Sequence, residues 1–181
     1  MNNPLFSSMS NLTFSVASDL HQATIAEILE EGREWLQQIK GINQWPFPFT
    51  PAWINKHLEK QEFFLVTLDD APVAVFRLLS TDPFIWGENT EDAMYIHSLA
   101  VRRSCKGHGI GRRLLQWVED YTAEQNRPYV RLDCMAENLA LCQYYEQAGF
   151  IARGTREIPV GEFLYKAQRY EKAVRYHLDT K

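Results

Sequence analysis

The chain has 181 residues, of which 45% are hydrophobic and 23% charged, and these values are typical of one soluble globular domain over residues 1–181. Its formal net charge of −4 argues against nucleic acid as a partner, because nucleic-acid-binding surfaces are rich in Lys and Arg. Three irregularly spaced cysteines disfavour a disulfide framework, and no secretory signal or apolar run of ~20 residues occurs, so we expect a cytoplasmic protein without a membrane partner.

Apolar periodicity divides the first half of the chain into a strand, two helices and a hairpin. Leu12, Phe14 and Val16 alternate as in a strand, and Thr50-Pro51 is a cap-and-proline start of a helix. The predicted elements are a strand over 11–17, a helix over 21–40, a helix from Pro51, and paired strands over 62–68 and 73–79.

The second half alternates strands with helices. The predicted elements are a loop over 82–92, a strand over 93–101, a helix over 109–125, a strand over 130–134, a helix over 137–148 and one or two strands over 150–170. Strand–helix–strand alternation favours a parallel or mixed sheet, so the fold class is α/β or α+β.

A basic, glycine-rich loop joins the strand over 93–101 to the following helix. It reads Lys106-Gly107-His108-Gly109-Ile110-Gly111 and is followed by two arginines. Glycines let backbone N–H groups turn toward a ligand, and a helix start adds unpaired N–H donors. These features predict an anion site, most often used for phosphate. The glycine spacing does not fit the dinucleotide or nucleoside-triphosphate loops.

This loop and its neighbours resemble the GNAT superfamily of N-acetyltransferases. The family's acetyl-CoA motif is Arg or Gln, two residues, Gly, one residue, then Gly or Ala, and residues 106–111 fit it with Lys106 in the first place. Leu99-Ala100-Val101 matches the end of the family's fourth strand. Asn138, seven residues before the Tyr145-Glu146-Gln147-Ala148-Gly149-Phe150 run, matches a third element. The resemblance covers residues 94–150.

The resemblance implies a mixed, mostly antiparallel central sheet with a splayed parallel strand pair and helices on both faces. It implies acetyl-CoA as co-substrate, with the pantetheine arm along the end of the strand, the pyrophosphate on backbone amides of the loop, and Arg102, Arg103 or Arg112 as candidates for the 3′-phosphate. The implied binding residues are Leu99, Ala100, Val101, Lys106, Gly107, His108, Gly109, Ile110, Gly111, Arg112 and Asn138.

Acyl transfer to an amine needs a base for the amine and a proton for the departing thiolate. By resemblance Tyr145 is the general acid; the alternative is a tyrosine that only packs. His97 is a candidate base because it lies two residues before Leu99, so period-two alternation places both on one face. Some family members that acetylate arylalkylamines resemble this chain in having His there.

Glu91, Asp92 and, more distantly, Glu88 are rival bases that would act through water. The resemblance also implies a backbone N–H near Leu99 that polarises the carbonyl. No His, Cys and Asp set has metal-ligand spacing, so we expect no metal.

The acceptor region is predicted in the proline-broken segment that contains Trp45, Phe47, Phe49 and Trp53, although these aromatics are equally suited to packing. The sequence predicts an enzyme that transfers acetyl from acetyl-CoA to a primary amine of a small molecule, directly in a ternary complex. A protein or peptide acetyltransferase, and a non-catalytic acyl-CoA sensor, are the alternatives. A homodimer through residues 162–176 stays open.

Overall fold

The structure is a computed structural model that describes residues 11–88 and 92–175. The strands of the described chain form one seven-stranded sheet. They are β1 (Leu12–Val16), β2 (Phe63–Leu68), β3 (Ala71–Leu79), β4 (Ala93–Val101), β5 (Tyr129–Met135), β6 (Ile151–Val160) and β7 (Phe163–Ala173). The α-helices are α1 (Gln22–Lys40), α2 (Pro51–Leu58), α3 (Pro83–Trp86), α4 (Ile110–Glu124) and α5 (Leu139–Gln147).

The sheet has the order β1-β2-β3-β4-β5-β7-β6, and its only parallel neighbours are β4 and β5. The two parallel strands pair from Ala93 with Tyr129 to Ile96 with Leu132. Beyond that point both strands continue, to Val101 and Met135, without pairing to each other. The predicted mixed, mostly antiparallel sheet with a splayed parallel pair is therefore confirmed.

Helices cover both faces of the sheet, as expected. Ile25, Ile28 and Leu29 of α1 are buried with α2 against one face, since apolar residues at this spacing lie on one side of a helix. The buried residues of α4 pack on the other face, together with Tyr145 of α5. In the described chain no helix has the length and apolar character needed to cross a membrane.

One sequence prediction needs correction, and one segment left open can now be placed in the fold. The expected loop over 82–92 contains α3, which Pro83 opens and Asp82 caps, since its carboxylate accepts a hydrogen bond from the Ile85 N–H at 3.1 Å. The C-terminal segment suggested for dimerisation is mostly β7, which lies inside the sheet between β5 and β6. Tyr176, at the end of that segment, lies outside the described residues.

Candidate active site

A β-bulge in β4 opens the splay between the two parallel strands. Val75 lies opposite Ala100 whereas Arg77 lies opposite His97, so β4 carries one extra residue there. Ser98 takes a positive φ of 48°, a backbone conformation rare for any residue other than glycine. As a result three consecutive residues, His97 to Leu99, line the same cavity, which strict alternation would not allow.

That cavity, of about 300 Å³, is mainly aromatic, and we call it the aromatic cavity. Its rings come from the segment before α2, from α2 itself, and from α3, α5 and β7. They are Trp45, Phe49, Trp53, Phe84, Tyr145 and Tyr165, with Tyr144 at the edge. Of the predicted acceptor aromatics, only Phe47 does not line it. The Phe47 ring is 55% exposed and lies against Gly161 in the turn between β6 and β7.

His97 lies between two carboxylates in the wall of this cavity. Its Nε2 donates to Asp82 Oδ2 at 3.1 Å, and its Nδ1 is 3.9 Å from Asp133 Oδ1. The Tyr165 hydroxyl donates to the other Asp133 oxygen at 2.8 Å. Both aspartates are almost fully buried, and burial raises the pKa of Asp133 above its ordinary value. Asp82 thus orients the imidazole, and the other ring nitrogen, Nδ1, lies on the side of Asp133.

The same three side chains form a cluster that the sequence did not predict. One ligand atom each from Asp82, His97 and Asp133 lies within 4.8 Å of the others, a spacing that one metal ion can span. Spacing along the sequence does not indicate this set, because its members come from three separate segments. Asp82 and His97 are hydrogen-bonded to each other, and Asp133 accepts from Tyr165.

Tyr145 lies on α5 at the side of the aromatic cavity and is only 6% exposed. Its ring packs on Tyr144, Phe150 and Tyr170 at centroid distances of 5.6, 6.0 and 5.9 Å. Among the described residues its hydroxyl has no hydrogen-bond partner. Burial holds the pKa of Tyr145 well above its usual value, so the hydroxyl keeps its proton throughout the neutral range.

A second cavity of about 490 Å³ runs from α1 along the end of β4 to the start of α5, and we call it the α1–α5 groove. The predicted residues Leu99, Ala100, Val101, Lys106 and Asn138 all line it. The groove and the aromatic cavity adjoin, because they share wall residues. The shared residues are Gln44, Trp45, Leu99, Leu141 and Tyr144.

The glycine-rich loop lies between β4 and α4, next to the end of the groove. Gly107 and Gly109 have φ of 84° and 72°, which favours glycine at both positions. The N–H groups of Gly107, Gly109, Ile110, Gly111 and Arg112 donate to no other described residue, whereas that of His108 donates to Cys105 O at 3.3 Å. Five free donors at a helix start fit an anion such as a pyrophosphate.

Side chains around the groove differ in how free they are to meet a ligand. Arg102 does not line the groove, and its guanidinium donates to Glu27 at 2.8 Å. Arg103 lines the groove and lies 3.7 Å from the Trp35 ring centroid. Asn138 caps α5 by accepting from the Leu141 N–H, and its amide donates to Gln44 at 3.0 Å. Its predicted contact with the cofactor arm would therefore compete with Gln44.

The two rival candidate bases that the structure describes do not line the aromatic cavity, whereas three residues that the sequence did not predict lie at the site. Glu88 and Asp92 are exposed and do not line the aromatic cavity, and Glu91 lies outside the described residues. Asp82, Asp133 and Tyr165 were not predicted. The alternation of β5 could have indicated Asp133. Leu132 and Cys134 are buried on the sheet face that packs against α4 and α5, so Asp133 between them points to the opposite face, where His97 lies.

Comparisons with known proteins agree with this geometry. Residues 27–150 match the family model described as "Acetyltransferase (GNAT) family". The curated protein YesJ of Bacillus subtilis, described as an uncharacterized N-acetyltransferase, is 33% identical over 135 residues, which are 70% of this chain and 74% of that protein.

Solved structures share the fold at low identity. A GNAT acetyltransferase from Listeria monocytogenes has a TM-score of 0.72 at 23% identity and covers 90% of this chain and 95% of its own. The acetyltransferase yncA from Salmonella typhimurium, solved with acetyl-CoA, has a TM-score of 0.67 at 14% identity over 95% and 99% of the two chains. A Salmonella typhimurium enzyme that modifies the N-terminal serine of ribosomal protein L7/L12 has a TM-score of 0.71 at 16% identity over 92% and 96%.

The family model covers more than half of the chain, and the splayed strands, the groove and the free N–H donors fit the acetyl-CoA that this family uses. The chain belongs to the GNAT family of acetyltransferases.

Proposed function

We propose that this acetyltransferase transfers the acetyl group from acetyl-CoA to the primary amine of a small molecule, directly in a ternary complex. The observation that carries the proposal is that two cavities adjoin: the aromatic cavity, which is lined by His97 and Tyr145, shares five wall residues with the groove that fits the cofactor arm. An amine in the first cavity would meet a thioester in the second without leaving the protein.

His97 is the proposed base. A primary amine similar to lysine has a pKa near ~10.4 and arrives protonated at neutral pH, so it must lose a proton before it attacks. Asp82 holds Nε2 as a donor, which leaves Nδ1 as the atom able to accept that proton. The amine nitrogen then forms a bond to the carbonyl carbon as the carbon–sulfur bond breaks. The nitrogen loses a second proton to become the amide, and that proton balances the one that the general acid gives to the departing sulfur.

Tyr145 is the proposed acid. When the carbon–sulfur bond breaks, the sulfur departs with the electron pair and needs a proton. The Tyr145 side chain lines the aromatic cavity, and its hydroxyl is protonated and has no hydrogen-bond partner among the described residues, so it is available to donate a proton. The groove and the cavity share Tyr144 and Leu141, both close to Tyr145 in sequence, which supports a sulfur position near this hydroxyl.

The form of the aromatic cavity favours a small acceptor over a protein. The segment before α2 and the adjoining ends of β6 and β7 both contribute to its wall, and Phe47 of that segment lies against Gly161 in the turn that joins the two strands. A protein N-terminus or lysine needs an open groove for the flanking chain. A volume of about 300 Å³ suits one small molecule instead.

The test is release of the CoA thiol from acetyl-CoA with a panel of small primary amines, amino acids and peptides. A chelator should be present throughout, since no metal is needed in this proposal. We expect turnover with small amines and its loss in Tyr145→Phe. Turnover with peptides alone would favour a protein acetyltransferase. Acetyl-CoA binding without turnover on any acceptor would favour a sensor.

A further inference from the structure

The charge and lining of the aromatic cavity bear on the chemistry of the acceptor. We propose that the acceptor is a hydrophobic primary amine without a carboxylate, and that Asp133 is the residue that selects against acidic acceptors. This inference rests on the proposed function and narrows its substrate class. It follows from which charged groups line the cavity, and from what its other walls are made of.

The charged lining of the cavity is one-sided. Asp133 lines it, and Asp82 lies directly behind His97, whereas no lysine or arginine among the described residues lines it. Arg77 lies opposite His97 in the strand register, but its guanidinium donates to Glu62 at 2.7 Å and lies over the Trp53 ring at 5.1 Å. An ammonium group entering the cavity therefore supplies a cation that the described walls lack.

A carboxylate in the aromatic cavity would find no lysine or arginine on the described walls to pair with. The side chain of Asp133 is only 6% exposed, and an acidic acceptor would bring a second carboxylate close to it with little water to screen the repulsion. Juxtaposed like charges cost several kcal/mol, and each 1.4 kcal/mol is a factor of ten. We therefore expect an amine to exceed the amino acid of the same skeleton by at least about a hundredfold in kcat/KM.

The remaining walls match an apolar body. Phe49, Trp53 and Phe84 line the cavity with Ile85 and Val160, and Phe84 is 61% exposed. A hydrophobic substituent on the amine would bury apolar area against these side chains, at roughly 25 cal/mol per Å². Tyr145, the proposed acid, lines the same cavity, so the apolar body would lie beside the reacting atoms.

The test compares phenethylamine with phenylalanine, two acceptors that differ by one carboxylate, with ethylamine as the amine without a ring. We expect kcat/KM to fall at least about a hundredfold from phenethylamine to phenylalanine, and at least about tenfold from phenethylamine to ethylamine. Asp133→Asn should shrink the first ratio and leave the second unchanged. Phe84→Ala, at an exposed site that tolerates truncation, should shrink only the second.

The outcomes separate the two proposals. Equal kcat/KM for phenethylamine and phenylalanine would overturn the inference and leave the small-molecule function in place. An unchanged first ratio in Asp133→Asn would remove Asp133 as the selecting residue. Turnover with peptides but with none of the three probes would overturn both proposals.

Discussion

Replacing Tyr145 with phenylalanine removes one hydroxyl oxygen and leaves the packed ring in place. The ring contacts to Tyr144, Phe150 and Tyr170 do not involve the oxygen, and among the described residues the hydroxyl makes no hydrogen bond. The free energy of unfolding should therefore hardly fall. The ring is buried but the oxygen is accessible at the aromatic cavity, so no buried unpaired group is removed, and Tm should change by a few degrees at most.

The catalytic effect should be far larger. Loss of a general acid lowers the rate by about 10²–10⁴-fold, which is ~3–5 kcal/mol of transition-state stabilisation. Because burial raises the pKa of Tyr145 well above 10, the wild-type enzyme should show no fall in kcat from this group up to about pH 9. The affinity for acetyl-CoA should stay within a factor of two to three, because the α1–α5 groove is not lined by Tyr145.

Thiol release gives kcat, calorimetry gives the acetyl-CoA affinity, and thermal unfolding gives Tm. Tyr144→Phe is the matched control, since its hydroxyl lies beside Gly111 at the start of α4, 2.8 Å from where a Cβ on that glycine would be. We expect that variant to keep kcat within about tenfold and to change acetyl-CoA affinity instead. Wild-type kcat in Tyr145→Phe, with the fold intact, would refute the acid role.

Three further predictions concern His97, Asp133 and the loop. His97→Gln should lower kcat/KM by about 10²–10⁴-fold, and wild-type kcat/KM in that variant would eliminate His97 as the base. Asp133→Asn should be more stable than wild type at neutral pH. Because the pKa of Asp133 is raised in the folded protein, its contribution to the free energy of unfolding is complete below pH 3.8 and is lost as pH rises through the raised pKa, whereas asparagine does not titrate. A Tm difference between the two proteins that does not change with pH would contradict this. Gly109→Ala should weaken acetyl-CoA binding about tenfold, because alanine in the left-handed conformation costs ~1–2 kcal/mol and the loop must shift. Gly154→Ala on β6 imposes a similar backbone strain away from the loop and should leave the affinity for acetyl-CoA unchanged.

The cofactor side of the site was predictable because its parts are contiguous in the chain. Strand end, glycines and helix start follow one another from Leu99 to Arg112, so the free N–H donors of the loop arise from local structure alone. The side-chain role of Asn138 was less predictable. Its partner, Gln44, comes from the irregular segment before α2, and no periodicity indicates that contact.

The acceptor side depends on long-range contacts. Asp133 reaches His97 only through the parallel pairing of β4 with β5. Asp82 reaches it because α3 turns the chain back, and the Asp82-Pro83 pair carries the same cap-and-proline signal that Thr50-Pro51 gave for α2. The β4 bulge has no such signal: Ser98 takes a positive φ that a strand pattern does not predict.

The most direct test of the account is a crystal structure with CoA and the product N-acetylphenethylamine bound together. We predict the amide nitrogen within about 3 Å of His97, the CoA sulfur near the Tyr145 hydroxyl, and the ring among Phe49, Trp53 and Phe84. A sulfur beyond hydrogen-bond reach of Tyr145, or a product bound outside the aromatic cavity, would contradict the account.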